Sequence, residues 1–139
     1  MNSLRLSLLP GLIAGIISVF TSWFWVGFVF HNYQRLTPQT WRKETAAHHL
    51  ISSLISISSC VAIATLYVMV ARANPGTLGF GIYGAMSFAV ISWIAFAVPV
   101  LLNHVLYVNV HPLFVVGLLI SWLTTALLAS CITAWWLTS

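Results

Sequence analysis

Charge is the scarcest commodity in this chain. Of its 139 residues only 4% are Asp, Glu, Lys or Arg, against about a quarter in an ordinary soluble domain. The charged residues are Arg5, Arg35, Arg42, Lys43, Glu44 and Arg72. Aspartate is absent and Glu44 is the single carboxylate, which excludes paired-carboxylate hydrolysis and most charge-relay triads. No Gly-rich phosphate loop is present either. Six charges cannot coat a 15.3 kDa soluble particle, so a cytosolic enzyme, a nucleic-acid-binding domain and a disordered tail are all excluded. The formal net charge of +4 comes from scattered cations rather than from a phosphate-binding patch. Cysteine is nearly as rare. Cys60 and Cys131 both sit inside apolar runs, without metal-ligand spacing or a CxxC pair, and both read as small packing residues.

Apolar residues fill the space that charge leaves: 60% of the chain is hydrophobic and 14% aromatic. They form four stretches free of Asp, Glu, Lys and Arg, at 8–30, 46–71, 78–102 and 112–137. Each approaches or exceeds the ~20 residues that carry a helix across ~30 Å of hydrocarbon. The stretches are too long and too uniformly apolar for barrel strands of about ten residues. The expected fold is therefore all-α: a multi-pass bundle of four transmembrane helices forming one domain over 1–139. Arg5 followed by an apolar run resembles a signal peptide, but the run continues through Phe20, Trp23, Phe24, Trp25, Phe28 and Phe30 without a small-residue cleavage pattern. It is read as a membrane helix. Thr37 and Pro38 make a plausible helix start, and a helix from Pro38 to Ala71 would be about 50 Å long. Trp41, Arg42, Lys43 and Glu44 would then project into the headgroups. The alternative is a short surface helix with a bend near Ala46.

Four crossings bring both chain ends to one face of the membrane, with Arg5, Arg72 and the Asn74-Pro75-Gly76 turn. The opposite face carries Arg35, Arg42 and Lys43. Counting Lys and Arg in short loops favours a cell (inner) membrane with the loop 31–47 in the cytoplasm. Helices in lipid associate by close packing and polar contacts. The stripes Gly11, Gly15, Ser18, Ser22 and Gly81, Ala85, Ala89 mark where backbones approach. Ser52, Ser53, Ser56, Ser59 and Cys60 form one broad face of the second helix. These either pack and bond back to their own helix or line a polar track with His49 at its mouth.

Two groups of residues are candidates for chemistry. All five histidines fall on the face opposite the termini: His31, His48, His49, His104 and His111. Imidazoles there serve as metal or haem ligands, proton relays, pH sensors or headgroup contacts. For a metal the candidates are His48, His49 and His104, although no HExxH-type spacing occurs. The second group lies in the third and fourth helices. Pro99 removes an N–H and displaces the Ala95 carbonyl, so a kink is expected there. Asn103 and Phe96 share its face, and Trp93 and Trp122 fall at similar depth, where an indole N–H needs an acceptor. A ligand-binding cleft built from Trp93, Phe96, Pro99, Asn103 and Trp122 is one reading. The other is that Asn103 ties down the turn and the tryptophans pack.

The stretch Trp93-Ile94-Ala95-Phe96-Ala97-Val98-Pro99-Val100-Leu101-Leu102-Asn103-His104-Val105-Leu106-Tyr107, with Leu113-Phe114 downstream, resembles the later half of a bacterial family of small four-helix membrane proteins of unknown function. That family ends its third helix with a W-x-x-F-x-x-P-x-x-x-N segment. The aromatic run from Trp23 to Tyr33 is more loosely similar, and His31-Asn32 stands where the family often has Gly-Lys. The resemblance implies the four-helix topology and a role for the kinked segment, and no activity.

These readings converge on a non-catalytic membrane protein: an accessory subunit or a binder of membrane lipid or another hydrophobic small molecule. A histidine-ligated haem or metal protein is one alternative, and a small-solute or proton conductor the other. The sequence requires no cofactor and indicates no nucleic-acid partner. Four spans leave much surface to lipid, so a homo-oligomer or a larger membrane complex is expected.

Overall fold

The computed structural model describes residues 3–41 and 45–139. Arg42, Lys43 and Glu44, expected to project into the headgroup region, lie outside the described residues. Four helices cross the molecule: α1 (Ser3–Val29), α2 (Ala46–Ala73), α3 (Ile82–Tyr107) and α4 (Pro112–Thr138). Each has 26 to 28 residues, about 40 Å at 1.5 Å per residue, enough to span the ~30 Å hydrocarbon core. Length and apolar composition make this a membrane-embedded all-α bundle.

The helix boundaries follow local chemistry. α2 does not begin at Pro38. Residues Pro38–Thr40 form a single 3-10 turn, Trp41 is extended, and helix resumes at Ala46. The capping residue is Thr45, whose hydroxyl accepts the His48 N–H at 3.4 Å. The bend near Ala46 is therefore the arrangement adopted. His111 caps α4, its Nδ1 accepting the Leu113 N–H at 3.3 Å ahead of Pro112 in the first turn. At the opposite end, the buried Tyr67 hydroxyl donates toward the carbonyls of Gly79 and Gly81, 3.3 and 3.2 Å away. Gly81 opens α3 with φ at +122°, a conformation that L side chains rarely adopt.

Two helices change register inside the bundle. α1 is α-helical to Ser22 and π-helical over Trp23–Val29, closed by the Phe30 N–H on the Trp25 carbonyl at 2.9 Å. α3 is π-helical over Trp93–Ala97, where the Val98 N–H bonds the Trp93 carbonyl. The second π turn directly precedes Pro99. A ring that cannot donate and that crowds the carbonyl four residues back is accommodated by widening that turn.

α4 packs against all three other helices, and α1 packs closely against α2 and α4. The small-residue stripe of α1 divides its work between two neighbours. Gly11 and Gly15 face α2: a Cβ on either would stand 2.8 Å from the Cα of Val61 or Ile57. Ser18 and Ser22 face α4 and bond Thr125 at 2.8 Å and Ser121 at 2.9 Å. Ser7 bonds Thr65 of α2 at 2.7 Å. Interhelical hydrogen bonds of this kind contribute about 0.6 kcal/mol each on average in lipid, so close backbone packing carries the larger share. Ala85 and Ala89 of α3 are wholly buried, the part of the second stripe that meets its neighbours.

Candidate functional site

α1 and α2 touch backbone to backbone at Gly11 and Gly15 and separate beyond that point. The space between them, walled on its third side by α4, is a cleft of about 880 Å³. Its residues come from α1 and the turn after it (Val19 to Gln34), from α2 (His49 to Ser56) and from α4 (Leu118, Ser121, Trp122). All lie on the histidine-bearing side of the Gly15–Ile57 contact.

The cleft is polar at its mouth and apolar along its flank. His31 and Gln34 approach from the helical turn His31–Gln34, and His49, Ser52 and Ser53 from α2, with Ser56 deeper, next to the Gly15–Ile57 contact. Ser53 donates to the His49 carbonyl at 2.9 Å. The Ser22–Ser121 pair forms a polar floor. Phe20, Trp23, Val26, Ile55 and Trp122 supply the apolar surface. Trp23 is 67% exposed and Phe20 is also open to the surroundings, so this flank communicates with the lipid.

Trp23, Gly27 and His31, spaced four apart, all line the cleft, and His31 opens the short helical turn that follows the break at Phe30. Phe30 lies against Gly117 of α4, where a Cβ would come within 2.5 Å of the ring. Inside the π turn the Trp23 indole lies over Gly27, 3.2 Å from where a Cβ would be.

Below the floor the bundle closes. Ser18 and Thr125 bond each other, and beneath them Ala14, Cys60 and Ala129 pack together, each 0% exposed. The cleft is thus a one-ended recess.

The five histidines, grouped on one face by topology, do not share one environment. His31 and His49 line the cleft. His111 caps α4 and stacks on Tyr33 with ring centroids 5.0 Å apart. His48 and His104 are exposed. Among the described residues no three His, Cys, Asp or Glu side chains come together in a way that could hold a metal ion. The candidates His48, His49 and His104 are not gathered into such a group.

The cleft expected around α3 is not where the cavity forms. Of Trp93, Phe96, Pro99, Asn103 and Trp122, only Trp122 lines it. Phe96, Pro99 and Asn103 are exposed on the outer side of α3, Phe96 at 68%. The Trp93 indole N–H donates to the Leu119 carbonyl at 2.9 Å, so the acceptor it needs comes from the backbone of α4. Sequence reasoning had noted the serine face of α2 with His49 at its mouth. It missed Trp23, Val26 and Gln34, because their residue types do not mark which side of α1 and of the turn after it faces inward.

Comparison of the chain with protein-family models, with curated proteins and with solved structures finds no match.

Proposed function

We propose that this protein is a non-catalytic membrane bundle that binds an amphiphile, a membrane lipid or a comparable hydrophobic small molecule, in the recess between α1, α2 and α4. The observation that carries this reading is the recess itself, which has a polar mouth, an apolar flank open toward lipid and a closed base. Its volume of about 880 Å³ falls within the ~300–1,000 Å³ of small-molecule sites. A conductor needs a polar path through the bundle, and the dry layer of Ala14, Cys60 and Ala129 interrupts one. A metal site needs several converging ligands, and among the described residues no three His, Cys, Asp or Glu side chains gather into one. Binding is therefore the best-supported of the three readings.

The setting we propose is a bacterial inner membrane, with the loop 31–47 in the cytoplasm and the bundle acting as an accessory subunit or in self-association. The cation count on the two faces and the resemblance carried by Trp93 to Asn103 support this setting.

Native mass spectrometry of the gently extracted protein tests the function. Wild-type protein is expected to retain lipid-sized mass, and Ser53→Phe/Ser56→Phe, which fills the recess, to lose it. Asn103→Ala on the outer side of α3 is expected to retain it. Loss in Asn103→Ala with retention in the filled variant would move the site to α3 and overturn this assignment.

A further inference from the structure

Resting on the binding reading above, the hydrogen-bonding groups below the mouth carry the assignment one step further, to the class of ligand. Two tryptophans line the recess, Trp23 and Trp122. An indole N–H can only donate, and away from water it needs an acceptor. Elsewhere that need is met within the chain: Trp93 gives its N–H to the Leu119 carbonyl at 2.9 Å and Trp41 to the Thr37 hydroxyl at 3.3 Å. Trp25, Trp135 and Trp136 lie within four residues of a helix end, at headgroup depth. Trp23 and Trp122 have no hydrogen-bond partner among the described residues. The serines of the recess repeat the pattern. Ser22 and Ser121 share one hydrogen bond at 2.9 Å, which leaves one hydroxyl hydrogen of the pair over. Ser56, beside the Gly15–Ile57 contact, makes none among the described residues.

Depth excludes the headgroups as the missing acceptors. Ser121 and Trp122 lie nine and ten residues into α4, about 14 Å below its first residue and so within the hydrocarbon. Unspent donors there call for a ligand that brings acceptors down to them. Among the described residues no Asp, Glu, Lys or Arg lines the recess, so nothing on its wall balances a charge. Shape narrows the class further. Phe20, Trp23 and Trp122 each present a ring to the recess, and none of them pairs with another aromatic ring among the described residues. Gly27 has no side chain to hold the Trp23 indole off α1, and the ring stays open to the other side. Unpaired ring faces suit a flat ligand.

A phospholipid keeps its acceptors near the headgroups, and its chains do not stack. An alcohol brings a donor of its own. A quinone offers two carbonyl oxygens, no donor and no charge on a flat ring, with an apolar tail that can leave past the exposed Phe20. We infer that the recess takes the ring of a tailed quinone, stacked among Phe20, Trp23 and Trp122, with its carbonyls on the indole N–H groups and the serine hydroxyls.

The test is a native mass spectrometry titration of delipidated full-length protein in neutral detergent. Three probes share one decyl tail: a decyl benzoquinone, its two-electron-reduced quinol kept anaerobic, and decylbenzene. Dioleoyl phosphatidylcholine is the lipid reference. The quinone is expected to bind about tenfold more tightly than the quinol or decylbenzene, the range that one or two hydrogen bonds provide. Trp23→Phe/Trp122→Phe keeps the rings, removes both N–H groups and is expected to abolish most of that preference. Trp135→Phe/Trp136→Phe, at the opposite end of the bundle, is expected to leave it intact. Circular dichroism confirms that each variant keeps its helices, and the comparison of probes on wild-type protein needs no variant.

Equal binding of the three decyl probes, lost in Ser53→Phe/Ser56→Phe, would overturn the quinone and leave the amphiphile site standing. Phosphatidylcholine bound ahead of the quinone would do the same. Binding of no probe and no lipid would overturn both readings. A quinone preference that survives in Trp23→Phe/Trp122→Phe would overturn the assignment of the indoles as its donors.

Discussion

Gly15→Ala is the most direct probe of how the recess is formed, because Gly15 sits where α1 and α2 stop touching. The added Cβ would stand 2.8 Å from the Ile57 Cα and 3.2 Å from its Cβ and Cγ2. The nearest obstacle is backbone, which has no rotamer to turn aside. Ordinary carbon–carbon contact lies near 3.5–4.0 Å, so α2 must retreat by roughly 0.7 Å or more. Overpacking of this kind costs about 1–3 kcal/mol, partly offset by alanine's better helix propensity, about 0.8–1 kcal/mol in water and of less weight in a segment that lipid already holds helical. Gly11→Ala meets the Val61 Cα at the same 2.8 Å and is expected to cost a similar amount alone. The two positions lie one turn apart on one interface, so a helix pushed back by the first methyl already makes room for the second. The double variant should therefore cost less than the sum of the singles. Reversible unfolding in mild detergent, followed by tryptophan fluorescence, measures all three. A change within about 0.5 kcal/mol for both single variants would refute the claim that glycine at these positions sets the α1–α2 distance.

Two further substitutions test neighbouring parts of the argument. Gly117→Ala would drive a methyl within 2.5 Å of the Phe30 ring and 2.9 Å of its Cβ, forcing Phe30 out and shifting His31 beside it. The expected result is about 1–3 kcal/mol of lost stability together with weakened lipid retention, and unchanged retention would break the link between Phe30 and the mouth. Ser130→Ala removes a buried hydroxyl that has no hydrogen-bond partner among the described residues. Such a group costs about 1–3 kcal/mol to bury unsatisfied, so the variant is expected to match or exceed wild type in a thermal melt. A loss greater than about 1 kcal/mol would mean the hydroxyl is doing something the packing does not reveal.

How much of this was readable from residues alone differs sharply between spans and site. The four crossings were legible because lipid demands it: with no water to satisfy backbone groups, a spanning segment must be helical, long and nearly free of charge. Runs such as 46–71 and 112–137 announce themselves by that rule, and the structure starts both where expected and extends them by two residues and one. The first helix instead starts five residues early, at Ser3, and the third is shifted four to five residues later, to Ile82–Tyr107. The grouping of histidines on one face follows from the same count. The start of α2 was less legible, since Thr37-Pro38 and Thr45 both look like helix starts and only one carries the long helix.

What residues could not say is which side of each helix faces inward. In a soluble bundle the apolar stripe marks the core. In lipid the outer face is as apolar as the inner, so that signal vanishes. Nothing in the sequence says which neighbour Gly11 and Gly15 meet; the tertiary structure assigns them to α2, and Ser18 and Ser22 to α4. The kinked segment of α3 has a conspicuous proline and amide, yet Phe96, Pro99 and Asn103 face out. The break after α1 at Phe30 has no such marker, yet the turn beyond it places His31 and Gln34 in the recess. Sequence determined that this chain is four helices in a membrane, because solvation by lipid acts on each segment separately. The recess, its donors and its closed base depend on how the helices are rotated against one another, and only the packed bundle decides that.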